Sequence, residues 1–452
     1  MKIWSGGRRR VIPRFIGLCL LLATALASAC NQRPDAAGPS ILVVTLDTTR
    51  RDHLGLYGYG RATSPNLDRF ATEATVYTRA YSTSSWTLPA HASIFTGKLT
   101  AGHGARYDPN GPFRLTDGIT GPEVWKELRA RGLSAGEQTL AGRLSQAGWR
   151  TGGIVAGPWM KKLFGLGTGF ADYDDDGIEE LNGRLARQVT ERAIAWIDRR
   201  GSERFFLFLN YYDPHAPYAP PAKFVRALDP TGDGAPPGDR ERDVALYDAE
   251  IRSMDHELGR VLDHLRAREL FRNMWIIVTA DHGEFLGEHG KTDHGRGVFE
   301  EEIRIPLLVK KPGTRGGTRD DTLVQLTDIL PMLLGSLGLE VPGGIHGEDP
   351  ENARRPIVAE VHSRGSEQRW IRALIEDDFK LVATDKRSKL YDLGSDLGEQ
   401  QNVMRSDRER GLAMRARLDA YLASIEGAGE AGPDVDIDES TRRALENLGY
   451  LE

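Results

Sequence analysis

Cysteine is almost missing from this 452-residue chain: the two present, Cys19 and Cys30, both fall within its first thirty residues. The body beyond them has no disulfide and no thiol nucleophile, so its chemistry must use oxygen or nitrogen. An excess of positive charge is also lacking, since 59 Lys and Arg face 65 Asp and Glu for a net charge of −6. No stretch gathers basic residues except the first fourteen, which argues against a nucleic-acid partner. Long apolar runs are absent too: Phe15 to Ala29 stands alone and is too short and too one-sidedly flanked for a stable membrane span. No internal repeat is visible. Apolar content of 40% and charged content of 27% are those of a globular protein with a sizeable core. The length allows two or three domains, or one large α/β domain with an appendage.

What is present begins with an address. Lys2, Arg8, Arg9, Arg10 and Arg14 precede the apolar run, giving a secretion signal over residues 1–29. Its end, Leu26-Ala27-Ser28-Ala29-Cys30, resembles a bacterial lipobox with Leu26 one place early, which implies a lipid on Cys30 and anchorage in the cell envelope. Ala27-Ser28-Ala29 also suits an ordinary signal peptidase, which would release the protein. Residues 30–40 read as a polar tether.

From Ile41 the chain alternates strand and helix, the pattern of a doubly wound sheet. Ile41 to Leu46 reads as a central strand with Asp47 at its carboxyl end, where ligands of open α/β sheets collect. Ser64-Pro65 opens a helix, and others are expected over Glu137–Ala147, Leu181–Arg200 with Leu185 on the buried face, Val244–Leu265 and Thr327–Leu339. Strands are expected at Gly153–Ala156, Phe205–Asn210, Trp275–Ala280 and Ile305–Val309. Between them lies Ser84 to Gly97, in which Thr87 precedes Pro89 and Gly97 closes a helix. A hydroxyl at a helix N-terminus faces unpaired amides and positive potential, which suits a nucleophile meeting an anionic ester. The strand at Phe205 ends in Asp213-Pro214-His215, and the strand at Trp275 ends in Asp281-His282-Gly283-Glu284. Asp47, Asp281 and His282 form a hard-to-borderline ligand set for a divalent cation. A glycine-flanked loop then carries Lys291 and His294. Beyond Gly347, short strands at Pro356–Val361, Ile371–Ile375 and Lys380–Val382 predict a small antiparallel sheet, followed by a helix over Arg405–Ile425.

These blocks, from about Ile41 to Asn402, resemble the sulfatase family of the alkaline phosphatase superfamily: Asp47 with Leu56-Tyr57-Gly58, Ser84 to Gly97, Asp213 to Tyr218, Asp281 to Gly290, Glu300 to Leu307, and Lys389 to Leu393. The resemblance implies an α/β fold with an alkaline-phosphatase-like doubly wound mixed sheet flanked by helices and a small C-terminal antiparallel subdomain. It places a catalytic domain at 41–346, the subdomain at 347–426, and a linker and tail at 427–452. It departs from the family at instructive places. Thr87 stands where family sulfatases carry the Cys or Ser that is oxidised to formylglycine, so no formylglycine is expected. His91 replaces the motif's Arg, Thr48 a frequent metal-binding Asp, and His282 a frequent Asn. His294 stands where many relatives have Lys. The loss of hard oxygen ligands favours Mn or Zn over Ca.

The chemistry implied is in-line displacement at phosphorus or sulfur, with a metal on Asp47, Asp281 and His282, Thr87 as nucleophile, and His215 or His294 protonating the leaving alcohol. Lys98 and His91 are expected to offset charge on the transferring group. A phosphate-type ester is favoured because a sulfated or phosphorylated threonine must await water or another acceptor, and phosphorus accepts such an attack readily. The alternatives are a phosphoglycerol- or phosphoethanolamine-type transferase and a non-catalytic binding protein on the same fold. A second metal through Asp213, His215 and His294 would parallel the superfamily's two-metal phosphodiesterases, although the Asp-Pro-His spacing differs from theirs. Trp86, Trp159, Tyr211 and Tyr212 are candidates to line a pocket for a small-molecule, glycan or lipid-headgroup ester.

Overall fold

A computed structural model describes residues 1–2, 38–121, 127–228, 240–314, 316–353, 355–363 and 369–426. The targeting segment with Cys30, and the tail beyond residue 426, lie outside the described residues. The body from Pro39 onward is one compact unit. Among the described residues no helix is long and apolar enough to cross a membrane.

Its frame is a mixed eight-stranded sheet of β1 (Ser40–Leu46), β2 (Thr75–Tyr81), β3 (Arg150–Ile154), β4 (Asp172–Asp174), β5 (Phe205–Tyr211), β6 (Met274–Thr279), β7 (Arg304–Lys310) and β8 (Thr318–Gln325). The spatial order is β8-β2-β7-β6-β1-β5-β3-β4. The central strand β1 runs parallel to both β5 and β6, whereas β7 is antiparallel to β6 and β2. Because β1 is buried on both faces, its six apolar and β-branched residues divide between two cores. Ile41 and Val43 face one layer, which includes the helix Thr87–Thr96 and the helix Ile329–Ser336. Leu42, Val44 and Leu46 face the other, built from the helices Ala186–Asp198 and Arg240–Ala267.

The helix Leu140–Gln146 starts where the Thr139 hydroxyl accepts from the Gly142 amide, three residues later than the hydrophobic spacing predicts. Leu185 corrects another expectation: it is the N-cap of Ala186–Asp198 and is 62% exposed, because the chain has not yet entered helical geometry there. Three sheet strands, β2, β4 and β8, escape sequence reading. The edge strand β8, Thr-Arg-Asp-Asp-Thr-Leu-Val-Gln, lacks apolar alternation because its first six residues are exposed or half-buried and only Val324 and Gln325 are buried.

A second sheet is an antiparallel meander of β9 (Ile357–His362), β10 (Trp370–Glu376), β11 (Phe379–Ala383) and β12 (Ser388–Asp392). The helix Arg408–Glu426 covers one face with Met414, Leu418, Leu422 and Ile425, spaced for one helical stripe. The other face packs Ile357, Ala359 and Ile375 against Tyr81, Val298 and Ile303 of the main body.

Candidate active site

Two adjacent parallel strands deliver acids to one corner. Asp47 follows β1 directly, and Asp281 with His282 follows β6; all three side chains are fully buried. The turn after β1 is strained: Thr48 has φ of 51°, a left-handed conformation that β-branched residues rarely adopt. This conformation lets the Thr48 amide donate to Asp281 Oδ1 (3.2 Å), while its carbonyl accepts from Tyr247 Oη (2.7 Å). The strain is thus held in place from both sides, as functional turns require. Asn210, the last polar residue of the buried β5 run, donates to Asp47 Oδ2 (3.4 Å) and accepts from the amides of Ala156 and Gly157. Sequence reading took Asn210 only as a strand end; a lone amide in Phe-Phe-Leu-Phe-Leu-Asn was the available signal.

Thr87 is the first residue of the helix Thr87–Thr96 and only 1% exposed. Its hydroxyl caps nothing; instead Oγ1 lies 3.3 Å from His282 Nε2. His282 Nδ1 donates to the Gly283 carbonyl (2.9 Å), which fixes the tautomer and leaves the Nε2 lone pair turned toward the threonine hydroxyl. Pro89 has no N–H, and the remaining first-turn amides of the helix have no intrahelical partner.

His91 corrects an expectation. One turn below Thr87, its Nδ1 donates to the Thr87 carbonyl (2.8 Å) and its Nε2 meets Thr45 Oγ1 (2.9 Å). Complete burial lowers its pKa, so the ring is neutral and both nitrogens are used. It ties the helix that carries Thr87 to β1, with both ring nitrogens engaged. Lys98 is a second correction. It follows Gly97, whose left-handed φ of 68° ends the helix, and therefore sits about 15 Å from Thr87 along the axis. Its ammonium is held by Glu137 at 2.8 Å.

His215 and His294 do converge on the corner. The His294 ring lies 4.6 Å from that of His282 and 4.9 Å from that of His215. Glu284 Oε1 receives His294 Nδ1 at 3.0 Å, and Asp293 Oδ1 is 3.2 Å from the same nitrogen. Asp213 belongs elsewhere: its Oδ1 accepts from the Ala186 amide, capping a helix, so the second ligand group found here is Glu284, Asp293 and His294. The aromatic candidates are mostly packing. Trp86 and Trp159 are buried with ring centroids 4.7 Å apart, and the Tyr211 hydroxyl bonds Thr190. Tyr212 stacks on His215 and supports it.

The corner is poised for a cation. One ligand atom each from Asp47, Asp281 and His282 lies within 4.8 Å of the others. Asp47 Oδ1 and Asp281 Oδ2 are buried without any hydrogen-bond partner, which is costly unless a positive ion satisfies them. Burial and the neighbouring Asp281 push the Asp47 carboxyl well above its usual range, although Asn210 pulls it back. Burial raises Asp281 too, partly offset by His91. Burial, and then His294, pull His282 well below the ordinary histidine range, which favours the neutral imidazole. A cavity of about 500 Å³ is lined by Tyr218, Arg240, Phe285 and by Ala216 and Asp293, the chain neighbours of His215 and His294.

An α/β sheet that gathers acids at strand ends beside a helix-borne hydroxyl defines an alkaline-phosphatase-like ester hydrolase. The sulfatase family model matches residues 39–339, and the chain belongs to that family. The uncharacterized sulfatase YidJ of Escherichia coli (strain K12) is 25% identical over 462 residues, covering 85% of this chain and 86% of that one. A structure solved in complex with its substrate D-glucosamine-2-N,6-O-disulfate superposes with a TM-score of 0.68 at 19% identity, covering 88% of this chain and all of that one. The phosphonate monoester hydrolase of Agrobacterium radiobacter gives 0.65 at 20% identity, covering 86% and 96%.

Proposed function

We propose that the protein is a metal-dependent hydrolase that cleaves a sulfate or phosphate-type ester through a covalent ester on Thr87, with phosphoester chemistry favoured. The observation that carries this reading is the Thr87 hydroxyl, 3.3 Å from His282 Nε2 and set beside two buried, unsatisfied carboxylates. A divalent ion on Asp47, Asp281 and His282 supplies charge neutralisation and acidifies the hydroxyl.

The chain's own residues do the rest. Without the ion, His282 Nε2 accepts from the Thr87 hydroxyl; an ion on His282 would take that same lone pair, the Thr87 proton would then leave to solvent, and the first-turn amides receive the anionic oxygens. The Thr87 oxygen forms a bond to phosphorus as the bond to the leaving alcohol breaks. His215 passes a proton to that alcohol; burial, and then His294, hold its pKa well below the usual value in the free protein, and a bound anion raises it again. Water then releases Thr87. His91 and Asn210 position the nucleophile's helix and Asp47. Threonine cannot form formylglycine, so no such cofactor is needed.

The test is turnover of matched aryl phosphate monoester, phosphodiester, phosphonate and sulfate substrates by metal-loaded protein, alongside Thr87→Val. Turnover of a phosphate-type ester that falls at least about 100-fold in Thr87→Val is expected. Unchanged turnover in that variant removes Thr87 from the mechanism, and preference for the sulfate ester reverses the substrate assignment.

A further inference from the structure

The turn that follows β1 is held by a side chain from the helix layer packed on Leu42, Val44 and Leu46. Tyr247, fully buried in the helix Arg240–Ala267, puts its hydroxyl between residues 48 and 50. The hydroxyl accepts from the Arg50 amide at 2.8 Å and donates to the Thr48 carbonyl at 2.7 Å. The phenol is thereby used as both donor and acceptor, and the two backbone groups that it joins make no main-chain bond among the described residues. The ring has little room to turn. It packs edge-on against His53 at 5.2 Å and Tyr218 at 5.6 Å, and His53 is itself fixed by Asp248 at 2.7 Å.

The conformation held by this bridge is one that Thr48 would leave if it were free to do so. A β-branched residue disfavours a left-handed φ of 51°, so a tie from outside the turn is needed to keep it there. In this conformation the Thr48 amide reaches Asp281 Oδ1 at 3.2 Å, and the His282 amide reaches the same oxygen at 2.8 Å. Two amides on Oδ1 fix the rotation of the carboxylate. They leave Oδ2, which has no hydrogen-bond partner, 3.4 Å from His282 Nε2. Arg50 ties the same turn to the segment after β6 a second time, its Nη1 donating to the Glu284 carbonyl at 3.2 Å.

Packing alone does not call for this hydroxyl. A phenylalanine would fill the same space and keep both ring contacts, so the oxygen serves the turn. Its two bonds go to Thr48 and Arg50, and it therefore acts on Asp281 through the backbone of Thr48. Groups that orient a ligand without touching the ion influence affinity strongly, because a ligand held in place loses less freedom on binding.

Resting on the reading of Asp47, Asp281 and His282 as a cation site, we propose that Tyr247 is a positioning residue for that site, its hydroxyl holding Thr48 in the left-handed turn whose amide sets the Asp281 carboxylate. Affinity for the ion is then set partly from a helix that supplies none of the three ligands.

The experiment titrates manganese(II) into the protein freed of metal and follows the free ion by electron paramagnetic resonance, for wild type, Tyr247→Phe, Thr48→Gly, the double variant and Asp47→Asn. Tyr247→Phe is expected to weaken binding about 10-fold or more. In the Thr48→Gly background the same change weakens it about 3-fold or less, because glycine adopts a positive φ without help. A general packing defect would weaken both backgrounds alike. That outcome overturns the proposal, as does unchanged affinity in Tyr247→Phe. The second readout needs no ion: in metal-free Tyr247→Phe the Thr48 amide should exchange with solvent deuterium about 10-fold faster than in wild type. Equal exchange overturns the role given to the hydroxyl. If wild type and Asp47→Asn bind manganese alike, or neither binds it, the cation reading fails, and exchange at Thr48 alone decides whether Tyr247 holds the turn.

Discussion

Two regions of this molecule bury charge, and they do so in opposite ways. Where the second sheet meets the main body, the Lys380 ammonium is fully buried within 3.1 Å of a carboxylate oxygen from each of Glu300 and Glu399. Burial pulls Lys380 down, but Glu399 and Glu300 more than offset it and leave its pKa above the usual lysine value. At the catalytic corner, Asp47 and Asp281 are equally buried, yet each keeps an oxygen with no partner. In the first arrangement an ammonium of the chain lies against both acids; in the second, Asp281 Oδ2 has only the imidazoles of His91 and His282 near it, at 3.6 and 3.4 Å. The lesson is that buried acids matched by a cation of the chain mark structure, whereas neighbouring buried acids without one mark a candidate cation site.

The sharpest way to break this comparison is Asp47→Asn. We expect kcat/KM to fall about 100-fold or more, since a charged ligand is lost where charge develops. In chelated protein the same variant unfolds at the same temperature as wild type or higher, because an unpaired buried carboxylate is removed. Loss of stability equal to the loss of activity, read by calorimetry, would make Asp47 a structural acid.

Lys380→Met is the mirror experiment. It leaves Glu300 and Glu399 buried without their cation and should cost about 3–5 kcal/mol of unfolding free energy in urea titrations. The folded fraction keeps its kcat. A cost near zero would show that solvent or Arg304, 3.4 Å from Glu300, takes over the pairing.

The smallest effect is expected at Glu250, an intermediate case. It accepts from the Ala219 amide at 2.7 Å, but burial and the nearby Asp213 push its carboxyl up to about 8. A folded-state value above the ordinary 4.5 means that the folded protein binds more protons than the unfolded chain between those pH values. Stability therefore falls as pH rises through that window. Glu250→Gln keeps the acceptor and stays neutral, so it should melt about 2 °C or more above wild type at pH 9 and show no gain at pH 5. A pH-independent difference would mean that Glu250 is not ionising in the folded protein.

Much of the site was legible in the chain because strand ends punctuate apolar runs. Asp47 after Ile-Leu-Val-Val-Thr-Leu, and Asp281-His282 after Trp-Ile-Ile-Val-Thr-Ala, announce themselves by position, and Thr87 by the proline and glycine that bound its helix. The errors share one cause. Lys98 pairs with a residue 39 positions away, and His91 is neutral because strands and helix close over it. Asp213 is used by a helix N-terminus 27 positions earlier in the chain. Each depends on a partner that local spacing cannot name.

The amino-acid order by itself determined the strand-helix alternation, the lack of thiol chemistry beyond Cys30 and the acids at two strand ends, because these follow from local backbone preference and side-chain type. Only the tertiary structure decided which buried acids go unpaired and which histidine faces the Thr87 hydroxyl. Pairing, burial and electrostatic field depend on distances between residues far apart in the chain, and folding sets those distances.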